Sequence, residues 1–389
     1  MKQIIFLMAL MGISVCAFAE KAAEKKPQVQ VCFVLDTTGS MGGLIEGAKA
    51  KIWTIANQIV KQKPTPEVKI ALIGYRDRGD AYVTKLFDLT DDIDAVFKNL
   101  TAFQADGGGD EPESVNQAMD EAVNKITWSA DKSVLKIIFL VGDAPPHMDY
   151  KGEKQYPEIC KEAVKKDLII NTIQCGDIAA TTPIWREIAK SSEGEYASIA
   201  QDGNMAVVSA PQDKEIGELN AKIGGTLIPV ALKGETWEHV SKDVREKQAA
   251  SETAPVAVTA ERQVFLRSVS TSASTGVPGS IGASGAARSV LGDVELIDQI
   301  SSGAVKLADL KDEQLPPEMR KMSKGERETY VAAKQKERVA IQAKITELSK
   351  ARMEYLDAEK KKQAAAGKKD SFDDKVAEIL NKQAEAKRK

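Results

Sequence analysis

The chain has 389 residues, of which 43% are hydrophobic and 5% aromatic, and its 54 Lys and Arg against 57 Asp and Glu give a net charge of −3. This length allows two or three domains, and the composition suits packed globular structure with a helical bias, excluding fibrous, collagen-like and wholly disordered chains. The near balance of charge lacks the basic excess that nucleic-acid binding through phosphate neutralisation requires.

Met1-Lys2 and the apolar run Ile4 to Phe18, closing on Ala17-Phe18-Ala19, have the pattern of a secretory signal peptide (residues 1–19) cut after Ala19. The run is shorter than the roughly 18 to 20 residues that span a bilayer, and no later stretch supplies them. The expectation is an exported, soluble protein, periplasmic or secreted. Ile13-Ser14-Val15 before Cys16 fits a lipoprotein signal poorly.

Residues 27–205 alternate apolar strand-like runs with helical patterns, which predicts an α/β fold with a doubly wound, mostly parallel sheet. The strands are expected at Val29 to Leu35, Val68 to Tyr75, Ala81 to Phe87, Val134 to Val141 and Leu168 to Gln174. The fourth is nearly continuous in apolar character, as a strand covered on both faces should be. Leu44, Ile45, Ala48, Ile52, Ile55, Ala56, Ile59 and Val60 describe one helical stripe. Asp91-Asp92 and Asp110-Glu111-Pro112-Glu113 mark two further helix starts, and Arg76-Asp77-Arg78-Gly79-Asp80 reads as a tight turn. The tripeptide Arg78-Gly79-Asp80, which some adhesion receptors recognise, needs no explanation beyond that turn.

Past the first 19 residues the cysteines are Cys32, Cys160 and Cys175, too few for a disulfide-dense scaffold and not spaced as metal-binding pairs. Cys32 lies inside an apolar strand. Cys160, near the start of a helix, and Cys175, at the end of the next strand, both fall near the carboxyl edge of the sheet, which leaves a single disulfide open as an alternative to free thiols.

Residues 206–267 read as a helical extension. Residues 268–289, rich in Ser, Gly and Ala, read as a flexible linker across which few packing contacts should pass. Residues 290–389 read as a helical or coiled-coil region with a basic tail: from residue 320 onward there are 20 Lys and Arg against 12 Asp and Glu. A small helical element is expected at Gly292 to Leu310 and a long charged helix from Glu318 to about Ala366. Ile341, Ile345, Leu348, Arg352 and Tyr355 trace a seam on that helix which needs a partner, from the preceding element or by self-association. The basic end beyond Lys360 is expected to fray in solvent.

The first strand ends in Asp36-Thr37-Thr38-Gly39-Ser40-Met41-Gly42. In a doubly wound sheet the loops at the carboxyl ends of the strands form the ligand crevice, so Asp36, Thr38 and Ser40 present three oxygens there, suited to a hard divalent cation. Asp143, in Val141-Gly142-Asp143-Ala144-Pro145-Pro146-His147, and Asp106 or Asp110, in Asp106-Gly107-Gly108-Gly109-Asp110, offer carboxylates to the same rim. Carboxylates converging in one crevice repel, or raise each other's pKa, unless a cation neutralises them.

With Asp36-x-Thr38-x-Ser40 on the first loop and Asp143 on a later one, the segment from about 29 to 205 resembles a von Willebrand factor type A domain carrying a metal-ion-dependent adhesion site. The resemblance implies a site of Asp36, Thr38, Ser40 and Asp143. Where the family usually has a Thr ligand after a Gly-Gly pair, this chain has Asp110, which on that resemblance takes the place of the Thr as a fifth member of the site. It further implies Mg²⁺, with Mn²⁺ or Ca²⁺ as alternatives, and a protein partner whose Asp or Glu carboxylate completes the coordination shell. Two other functions are weighed beside adhesion: a metal-assisted phosphoester hydrolase using the same carboxylates, which would need a Lys or Arg clamp, and a metal-free scaffold acting through the C-terminal helices. Only two histidines occur, His147 and His239, with no H-E-x-x-H and no phosphate loop, so zinc and nucleophilic catalysis lack their usual parts. His147 is expected to be a loop residue.

Overall fold

A computed structural model describes residues 26–109, 111–199, 209–232, 234–273, 294–365 and 371–388. The signal-peptide segment and most of the Ser/Gly stretch lie outside the described residues.

The α/β unit runs β1 (Gln28–Asp36), a 3-10 turn (Gly39–Gly43), α1 (Ile45–Val60), β2 (Glu67–Tyr75), β3 (Thr84–Thr90), α2 (Ile93–Ala102), α3 (Val115–Asn124), β4 (Leu135–Gly142), α4 (Tyr156–Lys165), β5 (Ile169–Cys175), α5 (Thr181–Ser191) and β6 (Tyr196–Ile199). The six strands form one sheet in the order β3-β2-β1-β4-β5-β6. All neighbours are parallel except β3, which runs antiparallel to β2. Every residue of β4 is buried, as its nearly continuous apolar run requires, Lys136 included. α2 starts where the acidic pair predicts, with the Asp92 carboxylate accepting from Asp94 N at 3.1 Å and Ala95 N at 3.0 Å.

Alternation along each central strand sends side chains to two cores. On one face Val31, Phe33 and Leu35 pack with α1 and α2, and on the other Cys32 and Val34 pack with α3, α4 and α5. Cys175 belongs to the first core and Cys160 to the second, so the sheet itself separates them. All three described cysteines are free and buried, and the disulfide alternative is closed by this parity.

After the sheet come α6 (Asp213–Gly224), α7 (Trp237–Thr253), α8 (Val256–Ala273), the short α9 (Leu296–Ser301) and α10 (Pro317–Arg320), the 42-residue α11 (Lys324–Ala365) and α12 (Ser371–Arg388). No helix among the described residues is long and apolar enough to cross a membrane. The element expected at Gly292 to Leu310 is only the six residues of α9 followed by a 3-10 turn.

The seam of α11 finds its partner inside the chain, along α6 and α8. Its buried positions are Val331, Arg338, Ile345 and Arg352, one every seven residues, with Ser349 beside them, while Ile341, Leu348 and Tyr355 are only half-buried. Two of these positions are arginines, and each meets buried acids. Arg338 forks onto Glu295 at 2.8 and 2.9 Å, and Arg352 reaches Asp213 at 2.6 Å and Glu261 at 2.8 Å.

The end of the chain departs most from expectation. Instead of fraying, residues 371–388 form α12, which lies against α1, β4 and β6. Val376, Leu380 and Ala384 enter the first core. The amides of Gln383 and Asn171 pair reciprocally at 2.9 and 3.2 Å, and Lys387 reaches Asp167. The C-terminal region therefore shares a core with the sheet, contrary to the expectation that few contacts join them. Its lysines hid the stripe, because a helix docking one narrow face keeps every other position charged.

Candidate metal centre

β1 and β4 are parallel neighbours with Leu35 opposite Val141, so Asp36, at the end of β1, and Asp143, just past β4, emerge side by side. The strand order reverses here: β1 leads on to β2 on one side and has β4 on the other, which leaves a crevice between their carboxyl ends. The first loop is held at its base, where Thr37 N donates to Tyr75 O at 2.9 Å and Arg76 Nε donates to Thr37 O at 3.1 Å.

The side chains form a continuous hydrogen-bonded chain. Asp36 Oδ1 accepts from Thr38 N at 2.9 Å and from Thr38 Oγ1 at 2.6 Å. Thr38 Oγ1 and Ser40 Oγ are 3.0 Å apart, and Ser40 Oγ donates to Asp143 Oδ1 at 3.1 Å. Four of the five residues expected from the sequence thus come together. Asp110 lies outside the described residues.

Glu113, which the sequence reading took only as an acid near a helix start, joins the site. Its backbone forms a bridge with Pro146: Glu113 N donates to Pro145 O at 2.9 Å and His147 N donates to Glu113 O at 3.0 Å. This ladder places Glu113 beside the loop that carries Asp143. Its Oε1 faces Gly108 closely: a Cβ there would sit 3.1 Å from Glu113 Oε1 and 3.3 Å from Thr38 Cβ, and Gly108 has φ of +72°. A glycine is needed at that turn, both for its backbone and for the room it leaves between Glu113 and Thr38. The sequence marks it only by neighbourhood, since Glu113 ends the same Gly-rich acidic run as Asp110, three residues on.

Burial, followed by the Asp143 charge, pushes the Asp36 carboxyl up to about 7. Burial, followed by the charges of Asp36, Asp77, Asp80 and Asp143, pushes Glu113 up to about 9. Asp143 is also raised, mainly by burial. Asp36 Oδ2 and Glu113 Oε2 are buried with no well-formed hydrogen bond among the described residues, although the Tyr75 hydroxyl lies near enough to Asp36 to lower its carboxyl against these larger effects. Gly142 is part of this cradle, since a Cβ there would fall 2.4 Å from Tyr75 Oη and 2.7 Å from Asp36 Cβ. Among the described residues no three His, Cys, Asp or Glu side chains are drawn into a ready-made chelate. The set is two carboxylates joined through two hydroxyls, with Glu113 across the Gly108 turn. Such donors, all oxygen and rich in unpaired buried lone pairs, fit a hard divalent cation, which would relieve the mutual repulsion that raises these carboxyls.

Around this centre the rim is acidic. Asp77 accepts from Ser114 Oγ at 2.8 Å and from Tyr150 Oη at 2.7 Å, and Asp80 accepts from Gly108 N at 2.9 Å. The turn Arg78-Gly79-Asp80 is thus a structural clasp on the glycine loop. His147 is a buried member of the rim rather than a bare loop residue. It stacks on Tyr150 at 4.0 Å, and its Nδ1 lies 2.8 Å from Asp149 Oδ1. Arg78 covers the other face of Tyr150 at 3.9 Å. Arg76 is buried, donating to Thr37 O and to Gln104 O at 2.9 Å.

Residues 30–210 match the family model of the von Willebrand factor A domain. Over 123 residues, 31% of this chain, the sequence is 37% identical to von Willebrand factor A domain-containing protein 7 of Rattus norvegicus and 35% identical to that of Homo sapiens. The matched stretch spans only 12% of those relatives' length. Among solved structures, the SpRpn10 VWA domain is similar at 17% identity and a TM-score of 0.37, covering 47% of this chain and 95% of that one. Proximal thread matrix protein 1 from the mussel byssus, solved with a zinc-occupied MIDAS motif, is similar at 17% identity and a TM-score of 0.36, covering 46% of this chain and 43% of that one.

Proposed function

We propose that this von Willebrand factor A domain is a cation-dependent protein-binding module of an exported protein, acting by adhesion or as a scaffold rather than as an enzyme. The observation that carries this reading is the pair of buried, unpartnered carboxylate oxygens, Asp36 Oδ2 and Glu113 Oε2, beside Asp143 and the hydroxyls of Thr38 and Ser40. Asp36, Ser40, Asp143 and Glu113 would hold the ion, with Thr38 directly or through water. Mg²⁺ suits the all-oxygen set, and an ion of that kind supplies an open coordination position for a partner's carboxylate. Export rests on the pattern of residues 1–19.

The hydrolase reading lacks its clamp. Arg76 spends its guanidinium on backbone carbonyls, and Arg78 is stacked on Tyr150 and paired with Glu153 at 3.5 Å. Neither is free to hold a phosphate. The test is calorimetric titration of Mg²⁺, Mn²⁺ and Ca²⁺ into the chain from residue 20 onward, with Asp36→Ala as control. One bound ion, lost in the variant, is expected. Absence of binding by every ion would reject the reading in favour of a metal-free scaffold.

A further inference from the structure

The charge left around the centre decides what kind of partner can approach it. Three carboxylates, Asp36, Asp143 and Glu113, more than neutralise one divalent ion. Outside them stand Asp77, Asp80, Glu111 and Asp149. Of these, Asp77 and Asp80 act on Glu113 through their charge, Glu111 acts on Asp143, and Asp149 is exposed beside His147. The two arginines of the rim are paired with other acids, Arg76 lying 3.6 Å from Asp106 and Arg78 3.5 Å from Glu153, although the Arg78 charge still reaches Asp149. No Lys or Arg among the described residues is within ion-pair distance of Asp77, Asp80, Glu111 or Asp149. Glu113, 2% exposed and with Oε2 unpartnered, shows that this acidity converges on a ligand position and is not merely a solvated surface.

We infer that the partner is a protein segment whose carboxylate is bracketed by Lys or Arg, so that the carboxylate meets the ion while the cations meet Glu111 and Asp149. This rests on the cation reading above. A carboxylate arriving alone would feel an ion whose charge is already spent and a surrounding field of its own sign. Like charges across an interface select against the wrong partner, and opposite ones speed encounter and fix register. The same argument makes the selectivity sensitive to salt, because Glu111 and Asp149 are exposed and screened within a Debye length of about 8 Å at 0.15 M.

The test uses the chain from residue 20 onward with saturating Mg²⁺ and three fluorescent peptides of equal length. Each has one central Asp, flanked on both sides by Lys, by Ser or by Glu. Fluorescence anisotropy at low ionic strength should rank them Lys, Ser, Glu, with about tenfold between the first two, as expected of two or three partly exposed ion pairs. The gap should close at 0.5 M NaCl. Glu111→Gln with Asp149→Asn should shrink it several-fold while one Mg²⁺ still binds, with only a modest loss of affinity as the Glu111 charge beside Asp143 is removed, which separates rim electrostatics from loss of the ion. Equal binding of the Ser-flanked and Lys-flanked peptides to the Mg²⁺-loaded protein, or tighter binding of the Glu-flanked one, would overturn the inference. If Mg²⁺ itself fails to bind, the cation reading falls separately. A Lys-flanked peptide with Asp replaced by Asn then decides the matter: retention that depends on Glu111 and Asp149 upholds the acidic rim as a selector of cations, and its absence removes that as well.

Discussion

Removing the Arg338 guanidinium should cost more than removing it together with its partner. Arg338 and Glu295 are 2% and 0% exposed in their side chains, and they meet in a two-pronged pair at 2.8 and 2.9 Å. Arg338 also donates to Thr226 Oγ1 at 3.0 Å and to Thr226 O at 2.7 Å. Glu295 accepts from Ile228 N at 3.0 Å and from Asp298 N at 2.9 Å, where it caps α9. In Arg338→Met the apolar stem is kept but a buried carboxylate loses its counter-charge, for which about 3 to 5 kcal/mol is the usual loss. Adding Glu295→Gln removes the stranded charge and keeps one acceptor for the two amides. The double variant should then lie only about 1 to 2 kcal/mol below the parent, the scale of one or two lost hydrogen bonds. Urea unfolding of both single variants and the double closes the cycle, read as midpoints at constant slope. A double variant as unstable as the sum of the singles would refute the claim that this pair, rather than apolar packing, fixes α11 to the segment before α9.

Four other outcomes follow from particular contacts. Leu380→Asp, which puts a carboxylate into the core shared with Val376 and the face of α1, should lower stability by at least about 3 kcal/mol and should shift unfolding reported by the buried Trp53 of α1, not only loosen the end of the chain. Cys32, Cys160 and Cys175 should resist alkylation in the native protein, since burial pushes the Cys160 thiol up to about 12 and raises the other two also. All three should titrate as free thiols after unfolding without reductant, and fewer would mean a bridge. Cation binding should release protons and weaken as pH falls: with Asp36 raised to about 7, protons hold the site below that pH and must be displaced. Calorimetry in buffers of different ionisation heat measures this, and pH-independent binding from 6 to 8 would contradict it. Gly142→Ala should destabilise by about 1 to 3 kcal/mol, because its Cβ would fall 2.4 Å from Tyr75 Oη, and a thermal melt matching the parent would show that the cradle is looser than described.

The sheet and its first loop were readable because their signals are local. The apolar run of β4 and the stripe of α1 need only a window of a few residues, and Asp36, Thr38 and Ser40 sit at the end of a strand that any period-based reading finds. Asp143 was readable for the same reason, as the first acid after β4. Glu113 was not, since its place depends on a backbone bridge to Pro146, thirty-three residues away, which no spacing rule encodes. β6 escaped because four residues are too short to show alternation. The regular spacing along α11 was visible, and Ile345 and Arg352 of the expected seam are buried, while Ile341 and Tyr355 are only half-buried. The structure adds Arg338, whose charge counts as surface until its acid is known. The role of α12 was hidden by composition: Val376, Leu380 and Ala384 are too sparse among lysines to suggest a core.

That last helix has a consequence for how the protein is made. The segment that matches the A-domain family model ends at residue 210, yet α8 covers only part of the apolar face of α1, and the rest of that face, with the edge at β6, is covered when residues 371–388 fold back onto them. During synthesis, at about 5 to 20 residues per second, this last part of the cover arrives some 170 residues after the sheet, on the order of ten to thirty seconds later. A nascent chain in this interval presents an unfinished surface to chaperones, to proteases and to its neighbours on the same message. The helices between β6 and α12 are therefore a long detour in the chain before the cover of the sheet is complete.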